Sequence, residues 1–252
     1  MIFEQSEDHL GVFPLTSQYD QVKGVSVGGC LLQDLAETYG TPLFVMDEAS
    51  IRFQCRLYTE TLKAHYPDSL VCFAGKANLN VGLLNLLADE GLGVDVVSGG
   101  EIYTALKSAI LPENMIVHGN NKSKEELVLA IQNQLRIVLD NYYEIEMVKQ
   151  LAMEHGTKAR VMIRIKPEID AHTHDYIKTG NIDSKFGLDQ KDLVSLVSDL
   201  VTDTNIDFLG IHSHIGSQIF DVDPYEELVR KMVGHMVTLK TSLGLEIKEL
   251  NL

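Results

Sequence analysis

The stretch "LVCFAGKANLN" (residues 70–80) sets a single lysine, Lys76, at the end of an apolar run that alternates like a strand. Alternation puts Cys72, Ala74 and Lys76 on one side and Val71, Phe73 and Gly75 on the other, so small side chains would leave room beneath the ammonium group. An amine emerging from a buried strand loses hydration unless a partner offsets the loss. Two readings stand: a lysine that snorkels at a strand end, or a Schiff-base lysine made nucleophilic by burial or neighbours. In "GVDVVSGGEIYTAL" (93–106), Asp95 lies mid-strand between valines, either as a hydrogen-bonded buried carboxylate or as a companion of Lys76. Gly99-Gly100 make a tight turn into a helix, and Glu101 falls in its first turn, where the helix dipole favours a carboxylate.

"GIHSHIGSQ" (210–218) places His212 and His214 two apart on one face of a strand. Such a pair can bind a metal. Alternatively, one imidazole packs flat on a cofactor ring while Gly216 and Ser217 turn backbone and hydroxyl donors towards a phosphate. A second pair, His172-Thr173-His174, lies in the long irregular segment 167–187. Metal-dependent barrel hydrolases carry such a pair on their first strand; here the pair falls on the sixth and the first offers lysine, so no metal is expected. Arg164 closes the strand "ARVMIRI" and would pair with Asp95 near Lys76, a role Lys185 of "SKFG" would share.

Elements that can position these residues repeat in one rhythm from residue 70 onward: a β-branched run, a polar turn, then an amphipathic stretch of helical period. Strands are expected at 70–77, 93–98, 114–120, 135–141, 159–167, 207–216 and 247–252, with helical stretches between them. Ser123 with Glu126 reads as a capping box, and Gly91 and Gly156 sit where helix C-caps belong. Alternating strand and helix means parallel strands joined by helical crossovers. Seven strands approach the eight of a (β/α)8 barrel; an open doubly wound sheet is the alternative, but no glycine-rich dinucleotide loop follows the first strand. Barrel sites lie at the C-terminal strand ends, where Lys76, Asp95, Ser98, Asn120, Asp140, Arg164, His212 and His214 gather. Residues 1–45 read as an appendage that packs on something else, with one short helix at 31–40, and residues 46–252 as the barrel.

The bulk composition narrows the partners. The 252 residues carry 21 Lys+Arg against 36 Asp+Glu, a formal charge of −15 spread along the chain, which disfavours nucleic acid and anionic membranes. No long uncharged apolar run is present, and the N-terminus lacks the basic and apolar regions of a signal peptide, so a membrane span and secretion are not expected. Three cysteines, Cys30, Cys55 and Cys72, fit a reducing cytoplasm better than a disulfide framework.

Taken in order, "FAGKAN" (73–78), "GVDVVSGGE" (93–101), "HGNNKS" (118–123), "RIKPEIDAHTHDYIKTGNIDSKFG" (164–187) and "GIHSHIGSQ" (210–218) resemble the fold-type III pyridoxal 5'-phosphate (PLP) decarboxylases. The "DAHTH…TG…SKFG" run is similar to their diaminopimelate branch rather than to ornithine or arginine relatives. The resemblance covers roughly residues 40–252. It implies that Lys76 carries PLP covalently, that His214 stacks on the pyridine ring, and that Ser217 binds phosphate. Asp95 and Arg164 would complete the cofactor's surroundings, with Glu101, Asn120, Lys185 and His212 behind them. The implied reaction is decarboxylation of meso-2,6-diaminopimelate to L-lysine and CO2, the last step of lysine biosynthesis, by a cytoplasmic homodimer. Other expectations for the same fold are decarboxylation of another basic amino acid or polyamine precursor, or a PLP-binding relative without activity. Members of the family continue past "ELNL" into a glycine-rich phosphate loop, a strand whose Glu pairs the pyridine nitrogen, and a C-terminal β-domain. The chain is therefore expected to be an N-terminal portion, poorly active alone, whose barrel is incomplete at its C-terminus and whose residues 1–45 belong with the β-domain.

Overall fold

The computed structural model describes residues 13–167 and 186–252. Near the start, β1 (Gln18–Asp20), β2 (Gly24–Val27) and β3 (Cys30–Leu31) form a small antiparallel sheet, followed by α1 (Leu32–Tyr39). The rest of the chain alternates helix and strand. In chain order come α2 (Glu48–His65), β4 (Cys72–Ala74), α3 (Val81–Asp89), β5 (Gly93–Val96), α4 (Gly99–Leu106), β6 (Met115–Val117) and α5 (Lys124–Gln132). They continue with β7 (Arg136–Leu139), α6 (Tyr142–His155), β8 (Ala159–Arg164), α7 (Leu193–Thr202), β9 (Ile206–His212), α8 (Asp223–Leu243) and β10 (Glu249–Asn251).

The order of strands decides the architecture. From β4 to β10 each strand pairs in parallel with its predecessor, giving one seven-stranded sheet in sequence order. A doubly wound sheet reverses its order at a switch point, and this one does not. The sheet is also curled. Arg136 on β7 makes a paired contact, 2.6 and 2.9 Å, with Glu249 on β10, although β8 and β9 lie between. A flat sheet would hold those two strands about 14 Å apart. The His118 and His212 rings, equally far apart in strand order, approach to 4.7 Å between centroids.

Curling gives the sheet two apolar layers. The larger lies outside, where the strands' outward residues (Val94, Val96, Ile137, Leu139, Val161, Ile163) pack against Leu84, Leu87, Ile102, Leu127 and Leu151 of the helices. Each such side chain contributes about 1.5–3 kcal/mol by leaving water. The smaller is inside: Ile116, Val138, Met162 and Leu209, with Cys72 against them. Gly210 lets β10 pair with β9, because a Cβ there would overlap the Glu249 carbonyl.

Five successive helices start on a side-chain cap: Asp47, Asn80, Ser98, Ser123 and Asn141 each accept a bond from the backbone N–H three residues on. Each cap contributes about 1 kcal/mol and stops the preceding loop at a defined residue. Ser123 and Glu126 form the expected capping box, and Gly156 closes α6 in the left-handed conformation.

The expected strands are present but shorter. The first ends at Ala74 rather than Ala77, since Gly75–Ala77 wind into a single 3-10 turn, and the sixth ends at His212 rather than Gly216. Helix α2 is an addition, because the sequence reading assigns no element to residues 48–65. Only Cys55 and Thr59 of α2 are buried, so its apolar stripe is faint.

Candidate active site

The lysine is delivered by a turn, not by a strand. Where β4 ends, the chain must reach the Asn80 cap of α3 within six residues, and it does so by winding tightly at Gly75. A Cβ on Gly75 would lie 2.5 Å from Leu79 Cδ1 and 2.6 Å from the Asp95 carbonyl, so only glycine lets this turn rest on β5. Lys76 therefore does not continue the Cys72–Ala74 face. It stands exposed at the rim, and among the described residues it makes no ion pair or hydrogen bond. Burial of the ammonium, which the strand reading requires, is absent. The register Ala74↔Asp95 nevertheless keeps the lysine turn beside Asp95.

Inside the curl the polar residues follow a simple rule. Two residues beyond the inner apolar Ile116, Val138 and Met162 come His118, Asp140 and Arg164, on the same face of their strands. His212 joins them after a bulge in β9. His118 Nε2 lies 3.5 Å from Asp95 Oδ1, and the His118 ring meets His212 edge to face. His212 is buried, and burial together with the nearby His118, Arg164 and His214 holds its pKa well below 6.5, so the imidazole is neutral. Cys72, below this layer, is no nucleophile: burial, reinforced by Asp95, pushes its thiol up to about 12.

Several expected partnerships are rearranged. Arg164 pairs with Asp140 at 2.9 Å, not with Asp95. Strand order explains the change, for Asp140 directly follows β7, the neighbour of β8, whereas Asp95 sits on β5. Glu101 takes the Val97 N–H at 2.7 Å, locking the start of α4 instead of facing the lysine. Asn120 is exposed, and it is its carbonyl that accepts a bond, from Asn141 Nδ2 at 3.4 Å. His212 and His214 do not share a strand face: β9 ends at His212, and His214 and Ser217 lie exposed in the following loop. Lys185, His172 and His174 lie outside the described residues. His118 was not singled out in the sequence, though its place two residues after Ile116 carried the signal. Among the described residues no group of three or more His, Cys, Asp or Glu is placed to hold a metal ion.

What the arrangement offers a ligand is a set of unused bonds. Asp95 Oδ1, His118 Nε2 and His212 Nδ1 are buried and, apart from the 3.5 Å approach of the first two to each other, lack hydrogen-bond partners among the described residues, a costly condition that a polar ligand relieves. They line the inner face, where Asp95 lies in register with Ala74, two residues before a lysine that makes no hydrogen bond or ion pair among the described residues.

Residues 48–252 match the family described as pyridoxal-dependent decarboxylase, pyridoxal binding domain. The chain belongs to the pyridoxal-dependent decarboxylases. Across 96% of its length it is 39% identical to diaminopimelate decarboxylase from Synechocystis sp., covering 53% of that protein. To the Bacillus subtilis diaminopimelate decarboxylase it is 40% identical over 94% of its length and 55% of the relative's. The crystal structure of the M. jannaschii diaminopimelate decarboxylase with L-lysine aligns at a TM-score of 0.85 with 34% identity, over 94% of this chain and 56% of that one. The chain thus spans about half the length of the curated relatives it matches. The residues present fit the family's cofactor: an unpaired primary amine suits an aldehyde, and the unpaired inner groups suit a polar heteroaromatic ring.

Proposed function

We propose that these residues form the PLP-carrying part of an enzyme that decarboxylates meso-2,6-diaminopimelate to L-lysine and CO2. One observation carries the reading: Lys76, exposed at the rim with Ala74 two residues before it in register with Asp95, tops an inner face that buries three polar atoms without partners among the described residues, in a chain 39% identical to a diaminopimelate decarboxylase over nearly its whole length. PLP, when bound, supplies an electron sink for the pair left behind as the Cα–CO2 bond breaks.

The chain's own residues supply attachment, orientation and proton control. Lys76 Nζ would hold the cofactor, and its exposure at the rim leaves the amine open to solvent and ligands. Asp95, His118 and His212 would hold polar atoms of the cofactor through the bonds they leave unused. Arg164, held by Asp140 at 2.9 Å, is assigned to the cofactor's surroundings at the strand ends. Neutral His212 can hold a proton on one ring nitrogen and accept on the other. His214 and Ser217, in the loop after β9, are assigned to the ring face and the phosphate. Glu101 and Asn120 act at a distance, by fixing loops.

We assign residues 46–252 to the cofactor-binding barrel and residues 1–45 to a segment that belongs with another domain. The full-length protein is assigned as a cytoplasmic homodimer without nucleic-acid partners. The three free cysteines and the charge of −15 support the compartment and the absence of nucleic acid, and the resemblance supports the dimer. No helix among the described residues is long and apolar enough to cross a membrane.

The test is turnover in a polypeptide of the relatives' length that contains these 252 residues, with CO2 and L-lysine both quantified from meso-diaminopimelate, ornithine and arginine. Production of L-lysine at least tenfold faster than any product of the other two substrates is expected. Cofactor uptake without release of CO2 from any of the three would refute the enzymatic reading.

A further inference from the structure

Lys122 is the one lysine buried among the described residues, and the candidate site makes no direct use of it. Its ammonium spends its hydrogens on two different loops. Lys122 Nζ donates to the Gly119 carbonyl at 2.7 Å, to the Val138 carbonyl at 2.6 Å, and to both carboxylate oxygens of Glu144 at 2.9 and 3.0 Å. Glu144, also buried, accepts the Asp140 N–H on Oε2 at 2.8 Å. Asp140 in turn accepts Arg164 Nη1 at 2.9 Å. The result is an unbroken run, Lys122–Glu144–Asp140–Arg164, from the β6–α5 loop across the β7–α6 loop to the end of β8. Its two cations and two carboxylates cancel, and the carboxylates, adjacent in the middle of the run, are joined through the Asp140 main-chain N–H rather than charge to charge.

Stability alone does not explain such an arrangement. Burial pulls the Lys122 ammonium down and pushes the Glu144 carboxyl up, each opposed by the other partner. A well-packed apolar pair in the same space is often as stable as a buried ion pair, or more so. What an apolar pair cannot do is hold three main-chain groups, the Gly119 and Val138 carbonyls and the Asp140 N–H, in one fixed relation. Those groups flank His118 and Asp140, two of the inner-face residues. Gly119, at φ +108°, lets its loop turn its carbonyl onto the ammonium.

We infer that Lys122 and Glu144 are positioning residues: a buried clamp that fixes His118 and the Asp140–Arg164 pair at the geometry the cofactor requires. The inference rests on the functional reading above. Its chemistry is confined to this chain, since neither residue contacts the ligand.

The experiment compares Lys122→Met and the milder Glu144→Gln with Val148→Ala, a control on α6 whose side chain is fully buried in the outer core. PLP affinity is measured by titration of the 252-residue chain, and amide hydrogen exchange at residues 118–123 and 138–144 is measured without PLP. The clamp variants should bind PLP about tenfold more weakly, the scale on which supporting shells act on bound groups. Val148→Ala, at a comparable loss of Tm, should bind within about twofold of the parent. Exchange should quicken in both loops of the clamp variants and not in the control. Equal weakening in control and clamp variants, or unchanged exchange in the two loops, overturns the inference. Should the parent chain fail to take up PLP at Lys76, the functional reading falls, and the exchange comparison still decides whether the clamp exists.

Discussion

The two faces of the seven-stranded sheet are built to different specifications. The outer face is apolar and continuous, and its strand residues are buried against helices that start on side-chain caps. The inner face carries a thin apolar layer of Ile116, Val138, Met162 and Leu209 between charged groups. Below that layer Arg136 meets Glu249, and above it stand Asp95, His118, Asp140, Arg164 and His212. Polar atoms without partners among the described residues occur in both charged layers, at Asp95, His118 and His212 above and at Arg136 Nη1 below. A face that leaves hydrogen bonds unmade forgoes stability that the other face must supply. Stability and chemistry are thus divided by a single strand's thickness.

The largest effect should come from the outer face. Leu84→Ala removes a fully buried side chain and should cost about 2–5 kcal/mol in chemical denaturation. Pyridoxal uptake by the molecules that remain folded should be unchanged. A reduced affinity at full folding would mean that the two faces are not separable.

Gly75→Ala probes the seam between the faces. Its added methyl would crowd Leu79 and the Asp95 carbonyl, so the lysine turn must shift. A loss of about 1–3 kcal/mol is expected from overpacking, accompanied by weaker pyridoxal binding. Loss of stability with affinity intact would show that the placement of the lysine turn does not matter to the ligand.

A smaller effect is expected from acid. His212 faces His118, Arg164, His214 and Asn251, and in the folded chain it titrates well below its ordinary 6.5. As pH falls below 6.5, the unfolded chain therefore binds a proton that the folded chain refuses, and stability declines. The slope from this residue is at most about 1.4 kcal/mol per pH unit, present below the unfolded pKa and absent above it. Unfolding curves for parent and His212→Asn between pH 5 and 7.5 should show the variant losing that slope; identical slopes would remove His212 as its source.

Much of this division was legible in the sequence, because strand alternation with helical crossovers reports burial directly. All seven parallel strands and their chain-order pairing follow from that rhythm, as does the gathering of polar residues at one end. Less legible were the points where strands stop. Apolar character continues through "FAGKA", and only the packing of Gly75 on β5 reveals why the chain turns at Ala74. The same limit misplaced His214, which lies beyond the end of β9. Partner choice was harder still. Arg164 reads in the sequence as a partner of Asp95, and only the order of strands gives it Asp140 instead. Lys122 and Glu144 are 22 residues apart, and Lys122 sits in a polar "NNKS" turn that reads as solvated. Helix α2 escaped because so little of it is buried.

Every assigned role depends on Lys76 carrying the cofactor. Incubating the folded chain with PLP, reducing with borohydride and mapping the peptides tests it without any need for turnover. A visible absorbance band is expected before reduction and one pyridoxyl group on Lys76 after it, both absent from a folded Lys76→Ala variant. A pyridoxyl group on another lysine, or an unmodified Lys76 in the folded chain, would contradict it.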